Sequence, residues 1–195
     1  RILAPGSTEQ GIWKAFVDRS DDDGKTWNKS QEVEISQLEY KRGERTVGKD
    51  DSSIPVSEQS FYGRGVIQPT LWESIPDQVH MLLRSTEGMI YRSDSKDGGD
   101  TWTEAYATEL PNNNSGIDMI RSEDGKLFLV YNPVGVNWGD RTPISLAVSK
   151  DDGKTWEKIR DLSTGEGEFA YPAIIQDEDF LYITYTYKRK NIAFW

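Results

Sequence analysis

The groups in this chain that first suggest chemistry are His80, arginines, tyrosines and carboxylates; there is no cysteine and only one histidine. Thiol catalysis and disulfides are therefore excluded. His80 sits in an alternating run in which His80, Leu82 and Arg84 share one face. A proton-transfer group next to an arginine suits β-elimination from a uronic acid. The guanidinium neutralises the carboxylate while a base takes the acidified α-proton. The simpler alternative is a histidine packed in a core. Acidic runs at Asp21–Asp23 and Asp151–Asp152 suggest calcium loops at first sight. The bidentate glutamate that an EF-hand needs at its twelfth position is missing, so that reading fails. No other metal-ligand set stands out, and no cofactor is expected.

The elements that must position these groups are announced by a repeat. The pattern Ser-x-Asp-x-Gly-x-Thr-Trp occurs three times, on Asp22 with Trp27, Asp97 with Trp102, and Asp151 with Trp156. The aspartates lie 75 and 54 residues apart, and the second spacing is close to a propeller blade of roughly 40–50 residues. Each copy lies between strand-like runs and reads as a hairpin turn. Aspartate accepts from backbone N–H groups just ahead of it, glycine supplies positive φ, and tryptophan packs its ring on the blade. These positions are expected to be structural. The intervening runs are short, β-rich and bounded by Gly, Asp, Asn or Pro. They give fourteen strands: three before and after the first turn, two sets of four, and three at the C-terminal end. Among them are Gln31–Ser36, Glu104–Glu109 and Tyr171–Ile175. His80 then corresponds to Phe128 and Tyr182 in the following units, both bulky. The first spacing is longer because residues 37–63 form a polar insertion.

The three turns resemble the Asp-box, or bacterial neuraminidase repeat, of sialidase-superfamily β-propellers. The stretches GVIQPTLWES (65–74), LLRSTEGMIYRSDSKDGGDTW (82–102), LPNNNSGID (110–118), LVYNP (129–133) and AYPAIIQ (170–176) carry the likeness over nearly the whole chain. The resemblance implies an all-β propeller of four-stranded antiparallel blades. Family rings are six-bladed, and this chain supplies about three to four blades. A single incomplete propeller domain over 1–195 is therefore expected. The rest of the ring is expected from the remaining polypeptide or from another chain, since open blade edges expose unpaired strands.

The same resemblance implies where a site would lie. In such propellers the pocket is on the face opposite the Asp-box turns. The loops after second strands bring Arg84, Arg141 and Arg189 there, and three arginines would clamp a sugar carboxylate through their planar, permanently charged forks. The links between blades bring Arg64, Gln68, Asn113, Asn114, Asp118, Glu168 and Tyr171. Tyr171, or Tyr185 in its place, is the candidate nucleophile. A phenol is weak at neutral pH and needs a carboxylate to take its proton, a role for Glu168. Asp118 is the candidate general acid, or else satisfies backbone groups in its strand. The expected function is recognition of an acidic sugar by an exo-α-sialidase-like glycoside hydrolase. A uronate lyase using His80 or a tyrosine, and a non-catalytic glycan-binding propeller, are the alternatives.

Composition narrows the partners. The formal charge is −10 and the isoelectric point about 4.7, which argues against sequence-independent nucleic-acid binding. No run is apolar enough to span a membrane as a helix. A soluble protein is expected, with secreted and periplasmic placements both open. Seven Trp, nine Tyr and six Phe suit β packing.

Overall fold

The computed structural model describes residues 1–36 and 63–195, and all the regular structure in them is β. The polar insertion expected at 37–63 lies, apart from Gly63, outside the described residues. Strands β1 (Ile2–Thr8), β2 (Ile12–Ser20) and β3 (Asn28–Lys29) form the first blade. Strands β4 (Arg64–Ile75), β5 (Gln78–Ser85), β6 (Met89–Ser95) and β7 (Tyr106–Pro111) form the second. The third is β8 (Asp118–Arg121), β9 (Leu127–Tyr131), β10 (Ile144–Ser149) and β11 (Glu157–Ser163). The fourth has β12 (Phe169–Asp177), β13 (Phe180–Tyr187) and β14 (Asn191–Phe194). Neighbours within each blade pair antiparallel. The blades do not close into a ring.

One expected strand is reduced. In Gln31–Ser36 only Val33 pairs, through a single bridge to Ala15. The ladder on β2 is instead made by Asn28 and Lys29. Glu32 and Glu34 turn to Lys14, each at 3.2 Å.

Packing follows from the two-residue period of a strand. On β5, Val79, Met81 and Leu83 join Ala15, Val17 and Val66 in a core between the first and second blades. Leu82, on the opposite face, joins Trp72, Met119, Leu127, Leu129 and Tyr131 between the second and third. Val130 then packs with Ile144, Phe169, Ile174, Ile183 and Tyr185 between the third and fourth. A central strand buried on both faces reads as a nearly continuous apolar run, as β5 does.

The first two blades also join by backbone, through a short parallel pairing of Ile12 with Arg64 and Trp13 with Gly65. Gly65 has φ 139°, and a Cβ there would stand 2.2 Å from the Trp13 carbonyl oxygen. Gly65→Ala should therefore cost about 2 kcal/mol or more in a chemical-denaturation midpoint series, well beyond the usual glycine-to-alanine effect.

The three Asp-box turns are built alike. Asp22 accepts from the backbone N–H groups of Lys25 and Thr26 and from the Thr26 hydroxyl, at 2.7–3.1 Å. Asp97 and Asp151 repeat this with Thr101 and Thr155. The preceding serine accepts from the glycine N–H, as Ser20 does from Gly24 at 2.8 Å. Trp27 and Trp102 close the turn by donating Nε1–H to the glycine carbonyl at 3.0 Å. Trp156 keeps its place in the pattern, but its Nε1–H has no partner. The packing of the three rings differs too. Trp102 is buried against the first-to-second-blade core, whereas Trp27 stays exposed.

Bonds from Thr26 and Ser20 hold the Asp22 carboxyl down to about 2, and bonds from Thr155 and Ser149 do the same for Asp151. A carboxyl depressed in the folded state adds stability that is complete above its unfolded value of about 3.9 and is lost as pH falls through 2. Acid titration of stability should therefore fall between pH 4 and 2. Asp22→Asn combined with Asp151→Asn should flatten that limb.

Candidate functional site

Opposite the Asp-box turns, the loops after second strands and the links between blades bring several of the expected residues together. Arg84 ends β5 and is 4% exposed. Its Nε donates to Asn114 Oδ1 and its NH1 to Gln68 Oε1, both at 2.9 Å. Arg141, in the loop between β9 and β10, stacks its guanidinium 5.0 Å from the centroid of the Tyr171 ring. Burial lowers the Arg84 guanidinium from its ordinary value and Arg141 adds to this, while Tyr171 and Glu9 oppose it. Arginine stays charged even so. Burial would raise the Tyr171 phenol, but Arg141 and Arg84 outweigh it and hold the group below its usual range.

Backbone geometry aims these groups. Gln68, Asn114 and Tyr171 all take positive φ, at 51°, 61° and 52°. Non-glycine residues in that region are uncommon and cluster where function or tight turns require them. Tyr171 interrupts the β12 ladder between Ala170 and Ala173, which turns its side chain out while the strand continues. Gly116 leaves the space this requires, since a Cβ there would meet the Tyr171 ring at 2.9 Å.

The asparagine run forms the wall beside Arg84. Asn112, Asn113, Asn114 and Ser115 are all buried. Asn112 accepts from Asn114 N–H at 2.9 Å. Asn113 donates to the carbonyls of Gly139 and Asp140, at 3.1 and 2.7 Å, tethering the loop that carries Arg141. Asn113 Oδ1, Asn114 Nδ2, Ser115 Oγ and Arg141 NH1 are buried without a protein partner. Buried polar groups are normally paired, so this grouping offers donors and acceptors to a polar ligand.

Other expected residues lie in different surroundings. Glu168 and Arg189 form an ion pair with each other. Tyr185 is buried in the core between the third and fourth blades, and its hydroxyl meets Ser163 at 2.9 Å. Arg64 pairs with Glu87 at 3.1 Å. Asp118 accepts from Thr70 at 3.2 Å, from Met119 N–H at 3.0 Å and from Ile174 N–H at 2.9 Å, so it joins the inner strands β4, β8 and β12. His80 lies four residues from Arg84 along β5, about 13 Å away at ~3.3 Å per residue. It is engaged there by Ser74 and Asp94.

Two residues near the site carry little sequence signal. Glu9, in the first hairpin turn, has a charge that acts on Arg84 from the neighbouring blade. Gly116 was visible only as part of the resemblance. Among the described residues no cluster of three or more His, Cys, Asp or Glu could hold a metal ion. Nor does any helix there have the length and apolarity to cross a membrane.

The fold has known relatives. The chain superposes on a mutant of the NanB sialidase from Streptococcus pneumoniae with TM-score 0.61, at 16% identity, covering 92% of this chain and 24% of that one. It superposes on Trypanosoma rangeli sialidase with TM-score 0.64, at 15% identity, covering 94% and 27%. A protein of unknown function from Dyadobacter fermentans gives 0.61 at 19% identity, covering 94% and 44%. The chain thus spans about a quarter of the length of these sialidases, and at such identities the likeness is one of fold. No curated protein matches it in sequence. The BNR repeat-like domain matches residues 1–183, across all three Asp-box turns and into the fourth blade. The chain belongs to the BNR repeat-like domain family of sialidase-type propellers.

Proposed function

We propose that the site binds an acidic sugar and acts as an exo-α-sialidase-like glycoside hydrolase. The observation that supports this most is the meeting of Arg84, Arg141 and Tyr171 from three different blades. Two guanidinium groups suit a carboxylate, through charge-assisted paired hydrogen bonds. The buried amides and Ser115 hydroxyl suit sugar hydroxyls or an acyl amide. Tyr171, as phenolate, attacks the anomeric carbon as the glycosidic bond breaks and the departing oxygen takes a proton from water; a second water then releases the sugar from the tyrosyl intermediate and restores the tyrosine. The nearby arginines favour loss of the phenolic proton. Gln68 and Asn114, the side chains bonded to Arg84, are neutral amides, and Glu168 is held by Arg189. The cations stabilise the Tyr171 phenolate, so that its proton can pass to solvent without a carboxylate base beside it.

That last observation also favours a second reading, in which Tyr171 is the base of a β-elimination from a uronate held by the same arginines. Both are tested together. The protein is incubated with a fluorogenic sialoside and, separately, with uronate polysaccharides while ultraviolet absorbance reports unsaturated product. Fluorescence release supports the hydrolase. Ultraviolet absorbance alone supports the lyase. Binding of either ligand without turnover overturns both in favour of a glycan-binding propeller.

A further inference from the structure

At the other end of β5, the second blade holds a constellation that the proposed sugar site does not use. Ser74 Oγ lies 2.8 Å from His80 Nε2. His80 Nδ1 lies 2.5 Å from Asp94 Oδ1. Asp94 is itself fixed by Arg92 Nε at 2.8 Å and by the Tyr106 hydroxyl at 2.6 Å. The imidazole stacks on Trp72 with centroids 4.8 Å apart. A carboxylate this close to Nδ1 accepts a hydrogen bond from Nδ1–H, which keeps the proton on that nitrogen and leaves the Nε2 lone pair directed at the serine hydroxyl. Nucleophile, base and orienting carboxylate are then connected in the order that acyl transfer requires.

Ser74 reaches this position because it is the extra residue of a β-bulge. Glu73 pairs with Val79 and Ile75 with Gln78, so Ser74 has no opposite number on β5. Bulges re-aim single side chains and are frequent beside active sites. Ser74 is half-buried while His80 is only 8% exposed, so the base is shielded and the nucleophile open to solvent. Asp152, from the Asp-box turn of the third blade, stands 3.7 Å from Nε2 and is held by the Trp72 indole at 2.8 Å. It faces the imidazolium that forms as the proton arrives. Arg92, whose NH2 is 3.0 Å from Nδ1 and whose NH1 donates to the Asp152 carbonyl, balances the two carboxylates.

We infer that Ser74, His80 and Asp94 form a serine acyl-transfer centre that hydrolyses small esters, separate from the sugar site. Ser74 Oγ adds to the ester carbonyl as His80 Nε2 takes its proton. The tetrahedral adduct expels the alcohol oxygen, which receives that proton, and leaves an acyl-serine. Water, deprotonated by His80, then releases the carboxylic acid and restores the serine. The net reaction is ester plus water giving acid plus alcohol.

The test uses a fluorophosphonate probe with peptide mass mapping on the intact protein. Ser74 should be labelled about 100-fold faster than Ser30, a half-buried serine without a histidine partner, in keeping with general-base assistance. His80→Asn should remove that advantage. A wild-type protein labelled at Ser74 no faster than at Ser30 overturns the inference, whether or not the His80 variant folds. So does a folded His80→Asn variant whose Ser74 reacts as in wild type, because a purely structural histidine would affect melting and not serine reactivity.

Discussion

Tyr171→Phe should reduce kcat on a fluorogenic sialoside by about three orders of magnitude or more, with the melting temperature within a degree or two of wild type. The size follows from the role, since a residue that forms the covalent intermediate acts as part of a unit and its loss leaves only binding and electrostatics. The small stability effect follows from the surroundings. Tyr171 is 46% exposed and its hydroxyl faces two cations, so phenylalanine keeps the ring stacked on Arg141. Steady-state kinetics beside differential scanning calorimetry checks both parts. Turnover within tenfold of wild type would remove Tyr171 from the reaction. The pH profile gives an independent check. The phenol is held below its usual range by Arg141 and Arg84, so the rising limb governed by its ionisation should lie lower than for an ordinary tyrosine. Replacing Arg141 by Gln should move that limb to higher pH.

Arg84→Lys should weaken binding of a carboxylated sugar by about 100-fold, and Arg84→Ala by more, measured by isothermal titration against the free acid. Removing one partner of a buried charged contact typically costs about 2–5 kcal/mol. Lysine keeps the charge but cannot hold Asn114, Gln68 and a ligand with one planar fork. The control is the same sugar with its carboxylate reduced to an alcohol. Its affinity should change little between wild type and Arg84→Lys. An equal loss for acid and alcohol would mean that Arg84 supports the wall and does not read the carboxylate.

Much of this architecture could be read from the chain because its signals are local. Each Asp-box turn closes within eight residues, and the strands around it carry their own periodicity. The division into blades followed from counting turns. Gln31–Ser36 was misread because its apolar alternation is real, but Val33 alone finds a partner on β2. The site was legible by loop and not by contact. The expected topology put Arg84, Arg141, Tyr185, Arg189, Arg64, Gln68, Asn113, Asn114, Asp118, Glu168 and Tyr171 on one face. Which of them meet depends on φ values at Gln68, Asn114 and Tyr171 that no residue type announces. His80 shows the limit from the other side. Alternation correctly placed it on the face it shares with Arg84, yet two residues on one face can stand at opposite ends of a strand. Ser74 was not visible at all, because a bulge is a matter of register between two strands.

Asp118 carries a consequence for the order of assembly. Its carboxylate joins residues 48 and 56 positions away, whereas most pairings here are between adjacent strands. Local hairpins form quickly, and contacts of long sequence separation wait for loop closure. Blades can thus acquire their strands one by one, but the site exists only when the second, third and fourth have docked around this one side chain. In refolding, the last observable to recover should be ligand affinity, after circular dichroism and tryptophan fluorescence have reached their native values.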